Sequence, residues 1–303
     1  MSGRLLVIAF VGLATAGAVA FWLVSAPQPL TADALPSHEP DAERGRYVFF
    51  ATGCAGCHAT PDQDDPLHLG GGRELDTPFG VFRVPNVSSD PEAGIGEWSD
   101  VEFVNAMMRG VSPRGRHYYP AFPYTTYQRM APEDVLDLKA FLDTVPAVDT
   151  GIGGHDLAFP FNVRRGVGVW KLLNLDGQPF EADPELDETA QRGAYLVEAM
   201  SHCGECHTPR DMLGGLDHDR WLAGAANPAG EGRIPNITPH ADGIVDWSER
   251  DIVYALETGF TPEFDTLGSS MARVVSNTSE LTDEDRQAIA AYLKAVSPLS
   301  DAR

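Results

Sequence analysis

From Leu5 to Val24 the chain runs for twenty residues without a charge, preceded only by Arg4. At 1.5 Å per residue that run is long enough to cross a hydrocarbon core of about 30 Å, so the pattern predicts an N-terminal transmembrane anchor within residues 1–30. Val24-Ser25-Ala26 could mimic a signal-peptide cleavage site, but the length of the run and Pro27 directly after it favour an uncleaved anchor. Beyond Pro27 the pattern breaks into short amphipathic pieces. Phe103, Val104, Met107 and Val111 form an apolar stripe at helical spacing, which gives Met107 and Met108 core-packing roles. Pro132 to Leu142 and Thr282 to Leu293 each open on an acidic first turn and continue with apolar residues at the same period. Thirty glycines and 23 prolines among 303 residues punctuate these segments, so the expectation is a mainly α chain of short helices joined by long ordered loops.

The amphipathic part is written twice. Gly45-Arg46-Tyr47 returns as Gly193-Ala194-Tyr195, Val84-Pro85-Asn86-Val87 as Ile234-Pro235-Asn236-Ile237, and Gly94-Ile95-Gly96-Glu97-Trp98-Ser99-Asp100 as Gly243-Ile244-Val245-Asp246-Trp247-Ser248-Glu249. The downstream strings match at offsets of 149 to 150, an internal duplication of roughly 110 residues per copy. The copies predict domains at 40–147 and 187–300. The aromatic-rich 148–186 between them (Phe159-Pro160-Phe161, Val169-Trp170) reads as a packed linker with a solvated acidic end.

All four cysteines fall in Cys54-Ala55-Gly56-Cys57-His58 and Cys203-Gly204-Glu205-Cys206-His207. Two thiols one helical turn apart can each form a thioether to a porphyrin vinyl group, with the adjacent imidazole delivered to iron. Two zinc sites would need further ligands at recognisable spacing, and two disulfides would not explain a histidine after each pair. The cofactors expected are two covalently bound haems c, with His58 and His207 as proximal ligands.

With these motifs in place, each repeat resembles a class I cytochrome c domain, giving a fold of two tandem domains of that type after one N-terminal transmembrane helix. In that family the proline of a Pro-Asn pair accepts a hydrogen bond from the proximal imidazole, a role that falls to Pro85 and Pro235. A tryptophan after a Gly-Ile pair bonds a haem propionate, which implies Trp98 and Trp247 as cofactor-binding residues, with simple core packing as the alternative. More narrowly, the Pro-Asn-Ile-Thr, Gly-Ile-x-x-Trp-Ser and Arg116-His117-Tyr118-Tyr119-Pro120-Ala121 strings resemble the cytochrome c subunits of membrane-bound alcohol, gluconate and fructose dehydrogenases. Those subunits carry three such motifs and an anchor near the C-terminus, where this chain has two motifs and an N-terminal apolar run.

The resemblance also implies a distal methionine for each iron. In the second repeat this is Met271, 24 residues after Trp247, while Met200 and Met212 lie too close to the haem motif. In the first repeat the same count reaches Phe122, which cannot ligate iron. Met130 is the expected ligand there, because the distal loop is two residues shorter from Phe122 to Asp134 than from Met271 to Asp285. His117 and an open iron are the alternatives, and Met130 aligns with Leu281, the position of a buried helix-start residue.

A net charge of −22 excludes nucleic acid as a partner, since phosphate binding needs a basic surface. With Arg4 on the cytoplasmic side, the haem domains of a bacterial inner-membrane protein face the periplasm. The expected function is a relay of single electrons from a periplasmic or membrane dehydrogenase to another cytochrome, an oxidase or the quinone pool. No residue set suggests hydride or acyl chemistry. The alternative is a dihaem redox enzyme of thiosulfate dehydrogenase or peroxidase type, with the catalytic haem in the first domain.

Overall fold

A computed structural model describes residues 2–227 and 232–301. Helix α1 (Ser2–Val24) carries the uncharged run and is exposed along its length. By length and composition it is able to cross a membrane.

The first repeat begins with α2 (Ala42–Ala51), whose N-cap Asp41 accepts from the backbone N–H groups of Glu43 (2.9 Å) and Arg44 (3.2 Å). The haem motif forms α3 (Cys54–His58). A hairpin of β1 (Glu74–Thr77) and β2 (Gly80–Arg83) follows, with Leu75 opposite Phe82. Then come α4 (Asp100–Arg109), α5 (Tyr124–Tyr127) and α6 (Pro132–Leu142). The segment between the repeats adds β3 (Asp156–Leu157), which pairs antiparallel with β2, and α7 (Gly166–Asn174). The second repeat contains α8 (Glu188–Tyr195), a π-turn over Leu196–Met200, α9 (Cys203–His207), the pair β4 (Ala225–Ala226) and β5 (Arg233–Ile234), α10 (Glu249–Thr258), α11 (Ser270–Thr278) and α12 (Asp283–Ala295).

Within each repeat the first and last helices cross at a repeated glycine. A Cβ on Gly45 would sit 1.9 Å from the Asp137 carbonyl oxygen, and one on Gly193 would sit 1.8 Å from that of Ala288. Only a residue without a side chain lets α2 approach α6, and α8 approach α12, this closely. The glycine of each Gly-x-Tyr string is therefore the crossing point.

The repeats also differ by one residue ahead of the haem motif, with nine steps from Gly45 to Cys54 and ten from Gly193 to Cys203. The extra residue is absorbed in the π-turn after α8, which lets both cysteines emerge at equivalent places.

The two repeats are not independent. One buried apolar cluster includes Val48, Phe49 and Leu138 from the first and Leu196, Val197 and Ile289 from the second. Around it, Tyr47 of α2 donates to Asp285 of α12, and Tyr195 of α8 donates to Asp134 of α6 at 2.5 Å. Each receiving carboxylate is already held by an arginine of its own repeat, Arg192 for Asp285 (2.8 and 2.6 Å) and Arg44 for Asp134 (2.5 Å). The interface thus has the reciprocal pattern of a two-fold dimer built from one chain.

Candidate haem sites

Each Cys-x-x-Cys-His occupies a five-residue helix that follows a residue in the left-handed region, Gly53 (φ 68°) before α3 and His202 (φ 46°) before α9. Spacing of three along a helix puts both thiols of each motif on one face. Burial pushes Cys54 up to about 11 and Cys203 up to about 12, the reverse of the lowered pKa that marks a redox-active pair.

The two motif histidines are each held by one backbone carbonyl. His58 Nδ1 donates to the Pro85 carbonyl at 2.9 Å and His207 Nδ1 to that of Pro235 at 2.8 Å. That bond leaves the Nε2 lone pair of each ring available for a metal. Burial lowers both imidazoles below their ordinary pKa and keeps them in the neutral, ligating form. Among the described residues, no cluster of three or more His, Cys, Asp or Glu could hold a bare metal ion. Paired thiols beside a single pre-oriented imidazole suit covalently attached haem, which supplies a one-electron iron couple when bound.

Sequence reasoning passed over the asparagines that follow these prolines. Asn86 Nδ2 donates to the Val148 carbonyl at 2.6 Å, and its Oδ1 accepts from Ser88 N at 2.8 Å. Asn236 Nδ2 donates to the Leu299 carbonyl at 2.7 Å, and its Oδ1 accepts from Thr238 N at 2.8 Å. Each asparagine ties the proline loop to the chain leaving the last helix of its repeat. The exact repetition of Pro-Asn was the signal that could have shown it.

Trp98 and Trp247 each lie one residue before a helix N-cap, Ser99 of α4 and Ser248 of α10. Glu102 accepts from Ser99 N (2.9 Å), and Asp251 accepts from Ser248 N (2.8 Å), closing a capping box at both places. Both indoles are half-buried against the core. Among the described hydrogen bonds neither indole N–H has a protein partner, whereas Trp170 and Trp221 donate to Leu213 and Tyr292.

Met271 lies half-buried in the first turn of α11. Met130 is completely enclosed in the shared core, and Leu281, its counterpart, is buried too. The ring of His117 meets the end of α1, its Nε2 donating to the Ser25 carbonyl at 2.9 Å. Phe122 sits among Tyr118, Tyr124 and Tyr127, with ring centroids 5.9 to 6.2 Å apart. Met107 and Met200 are buried core residues, and Met212 is exposed.

The two haem motifs are neighbours across the interface. Glu205, inside the second motif, accepts from Thr125 Oγ1 (2.6 Å) and Thr126 Oγ1 (3.1 Å) on α5 of the first repeat. Conversely, Gly56, inside the first motif, lies against Arg273 and Asn277 of α11. The His202 ring packs 5.9 Å from that of Tyr127, directly beside Gly53.

A fold of two helical repeats, each presenting a thiol pair, an imidazole and its carbonyl acceptor, defines a dihaem c-type cytochrome. The cytochrome c family model matches residues 42–146 and 190–297, and the chain belongs to that family. It is 51% identical to a "Diheme cytochrome c-type" protein of Cereibacter sphaeroides, over 93% of this chain and 94% of that one. It is 35% identical to the "Fructose dehydrogenase cytochrome subunit" of Gluconobacter japonicus, over 89% of this chain and 55% of that one. Identity to the "Alcohol dehydrogenase (quinone), cytochrome c subunit" of Gluconobacter oxydans is 31%, over 88% of this chain and 58% of the relative. The chain therefore spans little more than half the length of these dehydrogenase subunits.

Proposed function

We propose that this protein is an electron relay, anchored by α1 in the bacterial inner membrane with its haem domains in the periplasm. It takes single electrons from a periplasmic or membrane dehydrogenase and passes them to another cytochrome, an oxidase or the quinone pool. The observation that carries this reading is the packing of each haem motif on a helix of the other repeat, Glu205 with Thr125 and Thr126 of α5 and Gly56 with Arg273 of α11. Such packing brings two one-electron centres together inside one rigid chain. The dehydrogenase subunits among its relatives support the choice of donor. Purification of the intact complex from native membranes tests this. A dehydrogenase that travels with the chain and reduces it on adding substrate is the expected result, and a chain that is never reduced by any co-purifying enzyme would refute it.

In this reading His58 and His207 are the proximal ligands, and Met271 is the distal ligand of the second iron. Met130 is proposed as the distal thioether of the first, and Trp98 and Trp247 as propionate donors. One observation favours a second reading for the first haem. Met130 is enclosed like its counterpart Leu281, and His117 is engaged with Ser25, so the first iron would lack a protein distal ligand and serve as a catalytic site. The oxidised spectrum separates the two. Two methionine-to-iron charge-transfer bands, one abolished by Met130→Leu, support the relay with two ligated irons. One band and a high-spin first haem that binds cyanide rapidly support the enzyme.

A further inference from the structure

The segment from Ala158 to Leu173 is turned inside out for a water-soluble surface. Phe159 is 80% exposed, Leu173 73%, and Phe161, Val163, Val169 and Leu172 are also exposed. On α7 the outward stripe is Val169, Leu172 and Leu173, at helical spacing, whereas the inward face holds Val167, Gly168 and Lys171. No acidic residue occurs between Asp156 and Asp176, in a chain with 44 acidic residues. The charges that remain near the surface are Arg164 and Arg165.

The segment that carries this face is joined to the end of α1 through its inward side. A Cβ on Gly168 would lie 2.4 Å from the Ser25 carbonyl oxygen, so the backbones of α7 and of the first residue after α1 touch. His117 Nε2 grips the same carbonyl at 2.9 Å. Arg165 lies 4.1 Å over the Trp22 ring and donates to the Trp22 carbonyl at 2.5 Å. Leu172 and Leu173 follow Gly168 by four and five residues, roughly 6 to 7.5 Å along a helix. That is the scale of one headgroup layer, about 5 to 8 Å between the hydrocarbon core and water.

We propose that the outward face of residues 158–173 lies in the interfacial layer of the bilayer that α1 enters, with Phe159, Phe161, Leu172 and Leu173 among the acyl–headgroup boundary and Arg165 beside Trp22 at anionic headgroups. The proposal rests on α1 spanning the membrane. Continuity with α1 decides for lipid over a protein partner, because the segment packs directly on Trp22 and Ser25, where α1 leaves the membrane. Short amphipathic helices with basic residues and aromatic side chains bind interfaces in this way, and an exposed apolar patch of this extent marks an interaction surface. A second attachment would turn a domain hung on one helix into one held at a fixed orientation, with its redox face aimed along or away from the bilayer.

The four native cysteines are consumed by haem attachment, so Leu172→Cys in the full-length, haem-loaded protein introduces a single reactive thiol for a nitroxide label. A matching label at Glu249→Cys, in the exposed first turn of α10, serves as the aqueous reference. The proteins are reconstituted in vesicles of phosphatidylethanolamine and phosphatidylglycerol. Flotation with the vesicles reports α1 insertion independently. The expected result is that collisions with oxygen relative to a water-soluble nickel chelate are several-fold higher at 172 than at 249. Equal ratios at the two positions, with the protein still floating, would overturn the proposal while leaving the anchor intact. Protection of 172 from both reagents would mean that a second copy of the chain covers the face, and would overturn it too.

Discussion

Tyr47 of the first repeat donates its hydroxyl to Asp285 of the second, and the duplicated Tyr195 returns the bond to Asp134. One pair of residues, copied with the gene segment, thus ties the two repeats in both directions. Loss of one hydroxyl by Tyr47→Phe leaves the Arg192–Asp285 pair intact and should cost about 1 kcal/mol of stability, read from denaturant midpoints. Tyr47→Phe with Tyr195→Phe should cost more than twice as much, because the Tyr195 hydroxyl also accepts from Ala131 N at 2.9 Å. A double variant as stable as the wild type would show that the reciprocal bonds do not hold the repeats together.

Burial opposes ionisation of Asp285, but hydrogen bonds from Arg192 and Tyr47 prevail and hold its carboxyl below the ordinary value of 3.8. A depressed carboxylate contributes stability that is fully present above the unfolded-state pKa and is lost as pH falls through the folded one. The stability gap between wild type and Asp285→Asn should therefore be widest above pH ~4 and close in stronger acid. A gap independent of pH would place the effect elsewhere.

Lys171 shifts stability in the same direction but in a higher pH window. Burial pulls its amine down to about 7, and its Nζ donates to the carbonyls of Arg109 and Gly110 at 2.6 and 2.8 Å, bonds that a neutral amine can also make. Between pH ~7 and ~10 the unfolded chain binds a proton that the folded chain does not, so stability should rise with pH across that window. Lys171→Met should flatten the rise, as measured by thermal unfolding at several pH values. An unchanged slope in the variant would contradict this assignment.

Gly45→Ala places a methyl group where the Asp137 carbonyl already stands. Forced separation of α2 and α6 should cost about 1–3 kcal/mol, the usual range for overpacking, and Gly193→Ala should do the same between α8 and α12. A fully stable Gly45→Ala protein would show that the helices cross elsewhere.

Much of this architecture was legible because duplication doubles each signal. Two Cys-x-x-Cys-His motifs point to the two haems, and the structure has Nδ1 of His58 and of His207 bonded to the carbonyls of Pro85 and Pro235. Periodicity gave Pro132–Leu142 as the structure has it. What it could not give is the relation between copies. The tyrosine exchange joins residues 238 positions apart for Tyr47 and Asp285, and nothing local in either helix distinguishes a hydroxyl that serves its own repeat from one that serves the other. His117 was weighed as a ligand because histidine invites that reading. Its engagement with Ser25 depends on where α1 ends relative to α7, a tertiary fact that no motif encodes. The strand pairing of Asp156–Leu157 with β2 was equally invisible, since two residues carry no period.

In the proposed relay, electrons pass between the two haems inside one molecule. Reduction of the full-length, haem-loaded protein by a pulse delivering less than one electron per chain, followed optically or by freeze-quench spectroscopy at several protein concentrations, tests it most directly. Redistribution between the two haems at a rate independent of protein concentration is the predicted result. A rate that scales with concentration would show that electrons move only by collision between molecules, and the relay would fall.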